Sequence, residues 1–222
     1  KRSNDAYTVG GNTGFRPDYT TITYSKIIKE LFPDVPLVIG GIEASLRRVT
    51  HYDYWSDKLM PSILVDSNAD ILFYGMGEKS IVEFTQLIKK GVPVSKLTTI
   101  PQTAFLIEPD EKYATKKNWD EFGLFSHEDC LSDKKKFARN FMHIEEESNK
   151  MEAKKLTQKA GNKKVVVNPP WPTFKEKEID KVYDLPYTRL PHPRYKNKGA
   201  IPAYEMIRHS INIHRGCFGG CT

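Results

Sequence analysis

The spacing of apolar and polar positions changes several times along the chain, and each change marks an element. In "PDYTTITYSKIIKELF" (17–32), Ile22, Ile27, Ile28 and Leu31 recur at helical spacing behind Pro17 and Asp18, residues suited to a helix start. "DVP" breaks that pattern. "LVIGG" (37–41) follows as a short apolar run closed by two glycines, which reads as a buried strand and a turn. "ADILFYGMGEKSIVEFTQLIKKG" (69–91) repeats the sequence of events: a strand over 71–74, a tight turn over 75–77 and an amphipathic helix over 79–90 closed by Gly91. Two strand–glycine–helix units predict an α/β fold, with a parallel sheet flanked by helices.

The intervening stretch (42–68) has no clean period and is expected to cross the sheet edge; "SILVDS" within it suits either a strand or a short helix. "LTTIPQTAFLIEP" (97–109) predicts a strand pair or hairpin. From about 126 to 162 the pattern turns helical, with Phe137, Phe141, Ile144 and Met151 on one face and charge elsewhere, as in a helix or helical pair packed on the domain surface. "KVVVNPPWP" (164–172) is a strand stopped by prolines, and the proline-rich "YDLPYTRLPHPRYKNKGAIPAYE" (183–205) predicts an extended connector. In "IRHSINIHRG" (207–216), alternating Ile211 and Ile213 predict another strand. The expected organisation is an α/β domain over 1–182, a linker over 183–206 and the start of a second domain over 207–222.

Composition narrows the class. The 222 residues suffice for one large domain with a core, and no apolar run approaches the roughly 18 residues of a membrane span. The opening "KRSNDAYTVGGNTG" lacks the apolar core of a signal peptide. Three unevenly spaced cysteines do not form a disulfide framework, so a reducing, cytoplasmic setting is expected. The net charge of +6 raises nucleic acid as a partner. The lysines, however, sit in mixed stretches such as "KKNWDEF", with no basic run interleaved with aromatics, which argues against it.

The densest chemistry lies in "NIHRGCFGGCT" (212–222). Glycines beside Cys217 and Cys221 let backbone N–H groups approach an anionic centre, and thiolates are soft ligands for iron–sulfur clusters or zinc. On spacing alone three readings stay open: a C-x3-C-x2-C iron–sulfur loop cut before its third cysteine, a zinc site adding His209 and His214, or two ordinary loop cysteines. Cys130, near a helix start, reads as an inert thiol. Gly40, Gly41, Gly75 and Gly77 fall at the C-terminal ends of expected parallel strands, the edge at which open α/β sheets bind ligands. They are candidates to cradle a cofactor, or they only permit tight turns; the turns at Gly41 and Gly77 should share one edge. Glu43 and Glu78 could accept hydrogen bonds from that ligand or favour a helix start. Arg47, Arg48, His51, Tyr52, Asp53, Tyr54 and Trp55 form a polar–aromatic cluster. It is expected to face the terminal "CFGGC" as a substrate wall, or else to be a structural network.

"KRSNDAYTVGGNTGFRPD", "VPLVIGGIEASLRRVTHYDYWSDK", "ADILFYGMGEKSIVE", "NPPWP", "YDLPYTRLPHPRY" and the terminal "RGCFGGCT" together closely resemble the YgiQ-type radical S-adenosylmethionine (radical SAM) proteins. The resemblance runs through nearly all of the chain. It implies a flavodoxin-like or cobalamin-binding-like domain, a linker and the first strand of a radical SAM barrel, the chain being the N-terminal region with its own start also missing. It implies a [4Fe–4S] cluster held by Cys217, Cys221 and a third cysteine beyond Thr222, reductive cleavage of S-adenosylmethionine in the complete protein, and an electron donor such as a flavodoxin or ferredoxin. The Asp-x-His-x-x-Gly motif of cobalamin binding is not in the sequence, which leaves cobalamin in doubt. The rival reading is a non-catalytic α/β module binding a ligand, RNA or protein.

Overall fold

The computed structural model describes residues 3–212. Among them the chain folds as two compact units, one of residues 21–172 and one joining 3–20 to 173–212.

In chain order the elements begin with α1 (Thr20–Leu31), β1 (Val38–Ile39), α2 (Gly41–Leu46), β2 (His51–Asp53) and β3 (Lys58–Met60). They continue with α3 (Ile63–Ser67), β4 (Ile71–Phe73), α4 (Glu78–Lys89), β5 (Thr103–Ile107) and β6 (Glu121–Gly123). α5 (His127–Ser132), α6 (Lys134–Ser148), β7 (Lys155–Ala160) and β8 (Lys163–Val167) complete the larger unit. Six strands form one sheet in the order β1-β4-β5-β8-β7-β6, and β2 and β3 form a separate hairpin.

The α/β class holds, but the sheet is mixed. Only β1/β4 and β6/β7 pair in parallel; the other three pairings are antiparallel. The cause is local. β7 and β8 are joined by a two-residue turn at Gly161 (φ +59), which only an antiparallel pair can use, whereas a parallel pair needs a long crossover.

Alternation along the strands sends one row of side chains to a single face. Ile39, Leu72, Ala104, Val167, Leu156 and Phe122 lie in register across all six strands. They form the main core with Ala44 of α2, Ile63 and Leu64 of α3 and the partly buried Ile22 and Ile144 from α1 and α6. The opposite face carries Phe73, stacked edge-on against Phe84 of α4, and a smaller cluster of Phe105, Ile107 and Val166.

Several expectations need correction. The helical stretch over 126–162 ends at Ser148, and 155–160 is a strand. The 97–109 segment supplies one strand instead of two, whereas of the two readings open for "SILVDS" the helical one holds, with the Ser62 hydroxyl accepting from Leu64 N. Of the apolar face of α1, only Ile22 packs on the core, while Ile27, Ile28 and Leu31 remain exposed.

The smaller unit shows that 183–205 is not an extended connector. It contains α7 (Glu176–Tyr183), a 3-10 turn at Pro193–Tyr195 and α8 (Pro202–Ile207), and it binds the start of the chain. Ala203 N donates to Ala6 O at 2.9 Å and Gly10 N to Ala200 O at 2.7 Å. Arg16 grips the buried Asp5 carboxylate with two hydrogen bonds of 2.8 Å. The strand expected from 207 does not begin there: Ile207 ends α8 and 208–212 are irregular, while the rest of that segment lies outside the described residues. No helix among the described residues is long and apolar enough to cross a membrane.

Candidate functional site

The parallel pairing of β1 with β4 places their C-terminal ends side by side, so the turns at Gly40–Gly41 and Gly75–Gly77 share one sheet edge, as expected. A Cβ on Gly40 would stand 3.3 Å from the carbonyl oxygen of Phe73, so this glycine lets the two strand ends close up. Gly41 (φ +80) and Gly75 (φ +61) need the left-handed region. Gly77 does not, since its φ is −77 and it simply caps α4. In the second turn it is thus Gly75, and not Gly77, that needs a glycine's backbone freedom.

Two side chains tie this edge together. Ser45 Oγ accepts from Gly75 N at 3.0 Å and donates to Gly41 O at 2.8 Å, bridging the two turns. Gln102 Nε2 donates to Tyr74 O at 2.7 Å and Met76 O at 2.9 Å, and its Oε1 accepts from Trp171 N. Neither residue stands out in the sequence, because a serine in "EASL" and a glutamine in "IPQT" have no positional signature. Glu43 accepts from Thr21 Oγ1 at 2.5 Å and pairs with Arg47 at 3.0 Å, which joins α1 to α2. Glu78 sits in the first turn of α4, where its charge complements the helix dipole.

The 47–55 cluster separates into three parts. Arg47 and Asp53 are structural: Arg47 spans Glu43 and Asp53, and the buried Asp53 carboxylate also accepts from Ser56 N and Oγ, closing the β2–β3 turn. Tyr54 and Trp55 meet edge-on at 5.6 Å and are about three-quarters exposed, at 77% and 75%. Arg48, His51 and Tyr52 line a pocket of about 630 Å³ whose far wall is α6. That wall is Phe137, Phe141, Ile144 and Glu145, on a helix the sequence suggests only as packing.

The floor of the pocket is a closed polar network. Gln158 accepts from Thr50 N at 2.8 Å and donates to Phe125 O at 2.9 Å. Asn140 donates to Phe125 O and to Cys130 Sγ, and accepts from Phe125 N. Arg48 is 6% exposed, donates to Ser45 O at 2.6 Å and lies with its guanidinium 4.9 Å from the Tyr74 ring centre. Burial pulls its pKa below the ordinary value, while Tyr74 and Glu145 act the other way. His51 Nδ1 donates to Val49 O at 3.2 Å, and burial lowers the pKa of the ring, so it is neutral near pH 7 with Nε2 bare. Tyr52 OH donates to Asp57 at 2.6 Å, a bond that raises the phenol pKa.

A family model described as Radical SAM N-terminal matches residues 1–210. The chain belongs to this family. It is 57% identical over its whole length to a UPF0313 protein of Bacteroides thetaiotaomicron, covering 37% of that protein. It is 56% identical to one of Porphyromonas gingivalis and 42% identical to one of Clostridium botulinum, covering 34% of each. The chain thus spans about a third of the length of these relatives, at their N-terminal side by family description. No solved structure matches.

The metal site expected from the sequence falls on the two terminal cysteines, which lie beyond the residues of the family match. Cys217 and Cys221 lie outside the described residues. Among the described residues no group of three or more His, Cys, Asp or Glu side chains could hold a metal ion. Cys130 fits its reading as an inert thiol: it is buried, accepts from Asn140 at 3.2 Å, and burial raises its pKa.

Proposed function

We propose that this chain is the N-terminal region of an iron–sulfur enzyme of the radical SAM class, whose catalytic cluster is assembled on Cys217, Cys221 and a third cysteine in the remainder of the longer protein. The observation that carries this is the family match over 1–210, followed directly by the glycine-flanked cysteine pair. The donor set fits: two thiolates in a glycine-rich segment are soft ligands open to backbone N–H groups, whereas buried Cys130 is not available. When bound, the cluster would supply the electron for reductive cleavage of S-adenosylmethionine.

The region's own contribution is rigid support. Ser45 and Gln102 fix the glycine edge so that Gly40, Gly41, Gly75 and Gly77 present backbone at one place, with Glu43 and Glu78 beside it. Apolar side chains left at the surface, among them Ile42, Leu46 and Trp55, are of the kind that a neighbouring domain covers. The substrate-wall role of Arg48, His51 and Tyr52 is supported by their lining a pocket. Arg47 is better assigned to holding the hairpin.

The test uses the full-length protein purified without oxygen. Iron and sulfide content with visible charge-transfer absorption are expected in the parent, and loss of both in Cys217→Ala and Cys221→Ala. Unchanged iron in either variant removes the assignment. Cys130→Ser is expected to leave iron content as it is.

A further inference from the structure

The pocket between the 46–52 segment and α6 contains two charged side chains, Arg48 and Glu145, that form no direct ion pair with any described residue. Arg48 has five N–H donors and uses one in a hydrogen bond, to Ser45 O. Among the described residues no carboxylate stands within ion-pair distance of it, although it is 6% exposed. The Tyr74 ring, 4.9 Å from the guanidinium, and the longer-range attraction of Glu145 offset part of the cost of burying this cation, and an anion in direct contact would offset more. Across the pocket, Glu145 supplies the opposite charge. Its backbone carbonyl is used by Ser148 and Asn149, but no described residue hydrogen-bonds its carboxylate. The other polar groups are engaged: Asn140 and Gln158 with Phe125, Thr50 with Gln158 and His127, and Tyr52 with Asp57. The neutral His51 adds no charge. The remaining wall is apolar, from Leu46, Phe137, Phe141 and Ile144.

We propose that this pocket binds a zwitterionic small molecule with an apolar body, the chemistry of an apolar or aromatic amino acid. The carboxylate is held by Arg48, the ammonium by Glu145, and the side chain packs on Phe137, Phe141 and Ile144. The volume of about 630 Å³ suits a small molecule. A cation and an anion within electrostatic reach of each other favour a ligand of zero net charge that carries both charges close together, as the ammonium and carboxylate on the α-carbon of an amino acid do. A phosphate dianion would be attracted by Arg48 but repelled by Glu145. The inference does not rest on the cluster assignment, because every residue it uses lies in the larger unit.

Calorimetric titration of the full-length protein tests this with five probes: L-phenylalanine, L-leucine, 3-phenylpropionate, phenethylamine and inorganic phosphate. The two amino acids are expected to bind saturably. Loss of either charged end should weaken binding about tenfold or more, and phosphate should not bind. Glu145→Gln is expected to weaken L-phenylalanine about tenfold while leaving 3-phenylpropionate unchanged or tighter, and Phe141→Ala should weaken both. Glu145 and Phe141 both lie on a solvent-facing helix, so these variants should fold, which circular dichroism checks. The same titrations on Cys217→Ala protein separate pocket binding from cluster loss, and L-phenylalanine is expected to bind that variant equally well. Absence of saturable amino-acid binding overturns the proposal, as does binding that Glu145→Gln and Phe141→Ala both leave unchanged, or a preference for phosphate.

Discussion

At the scale of single residues, Gln102 and Gly75 depend on each other. Gln102 is itself at φ +62, with its N–H donating to Pro169 O, and its side chain approaches the Gly75 turn so closely that a Cβ there would stand 3.0 Å from Nε2. Gly75→Ala should therefore cost about 1–2 kcal/mol from backbone strain, with the clash in addition, in urea unfolding of the parent and variant. Gly77→Ala, in ordinary backbone and 3.4 Å from Phe73 Cβ, should cost less than about 1 kcal/mol. Gln102→Leu leaves the Tyr74 and Met76 carbonyls without their donor and should cost about 1–3 kcal/mol. A Gln102→Leu protein as stable as the parent would show that the clamp contributes nothing. The glycines were legible in the sequence as turn-formers after strands. Which of them carries strain was not, because that is set by Gln102, 27 positions after Gly75 in the chain.

At the scale of elements, β6, β7 and β8 are joined by a charge cluster as well as by backbone. Glu121 on β6 pairs with Lys155 of β7 at 3.1 Å and with Lys164 of β8 at 2.9 Å, and accepts from Thr157 at 3.0 Å. Burial alone would raise its carboxyl pKa, but hydrogen bonds from Lys164, Lys155 and Thr157 outweigh that and bring it down from 4.5 to about 2. A depressed carboxyl pKa adds stability above the unfolded-state value, and that stability is lost as pH falls toward the folded value. The stability gap between parent and Glu121→Gln should accordingly be full at pH 7 and close between pH 4.5 and about 2, as read from urea midpoints across pH. A pH-independent gap would remove Glu121's charge from the account. Ser126→Ala, which breaks the capping box with Asp129 at the start of α5, should cost about 1 kcal/mol. These strands also explain what pattern reading missed. "KLTQKA" buries Lys155, Thr157 and Gln158, so its composition resembles solvated surface. Their partners, Glu121, Thr50 and Phe125, come from distant segments, and no local period reveals them. The strands "LVI", "ILF" and "KKVVV", buried by apolar content alone, were legible for that reason.

At the scale of the whole molecule, sequence order and spatial order diverge. Among the described residues β8 is the last strand in chain order, yet it sits between β5 and β7 near the middle of the sheet. A chain ending at residue 161 should fail to fold cooperatively, because β5 would be left with a bare apolar edge at Phe105–Ile107. Residues 21–172 alone should give a sharp thermal transition; similar melting of the two fragments would contradict this sheet order. The same divergence is greater in the smaller unit, where Ala6 and Gly10 find their hydrogen-bond partners at Ala203 and Ala200. During synthesis residues 5–16 thus emerge long before the residues that satisfy them. At translation speeds of roughly 5–20 residues per second, this segment waits about ten to forty seconds for the chain it must bind. During that interval Asp5 and Thr8, both buried in the folded unit, are open to chaperones and proteases, so this early segment, rather than the sheet, is where quality control would first take hold.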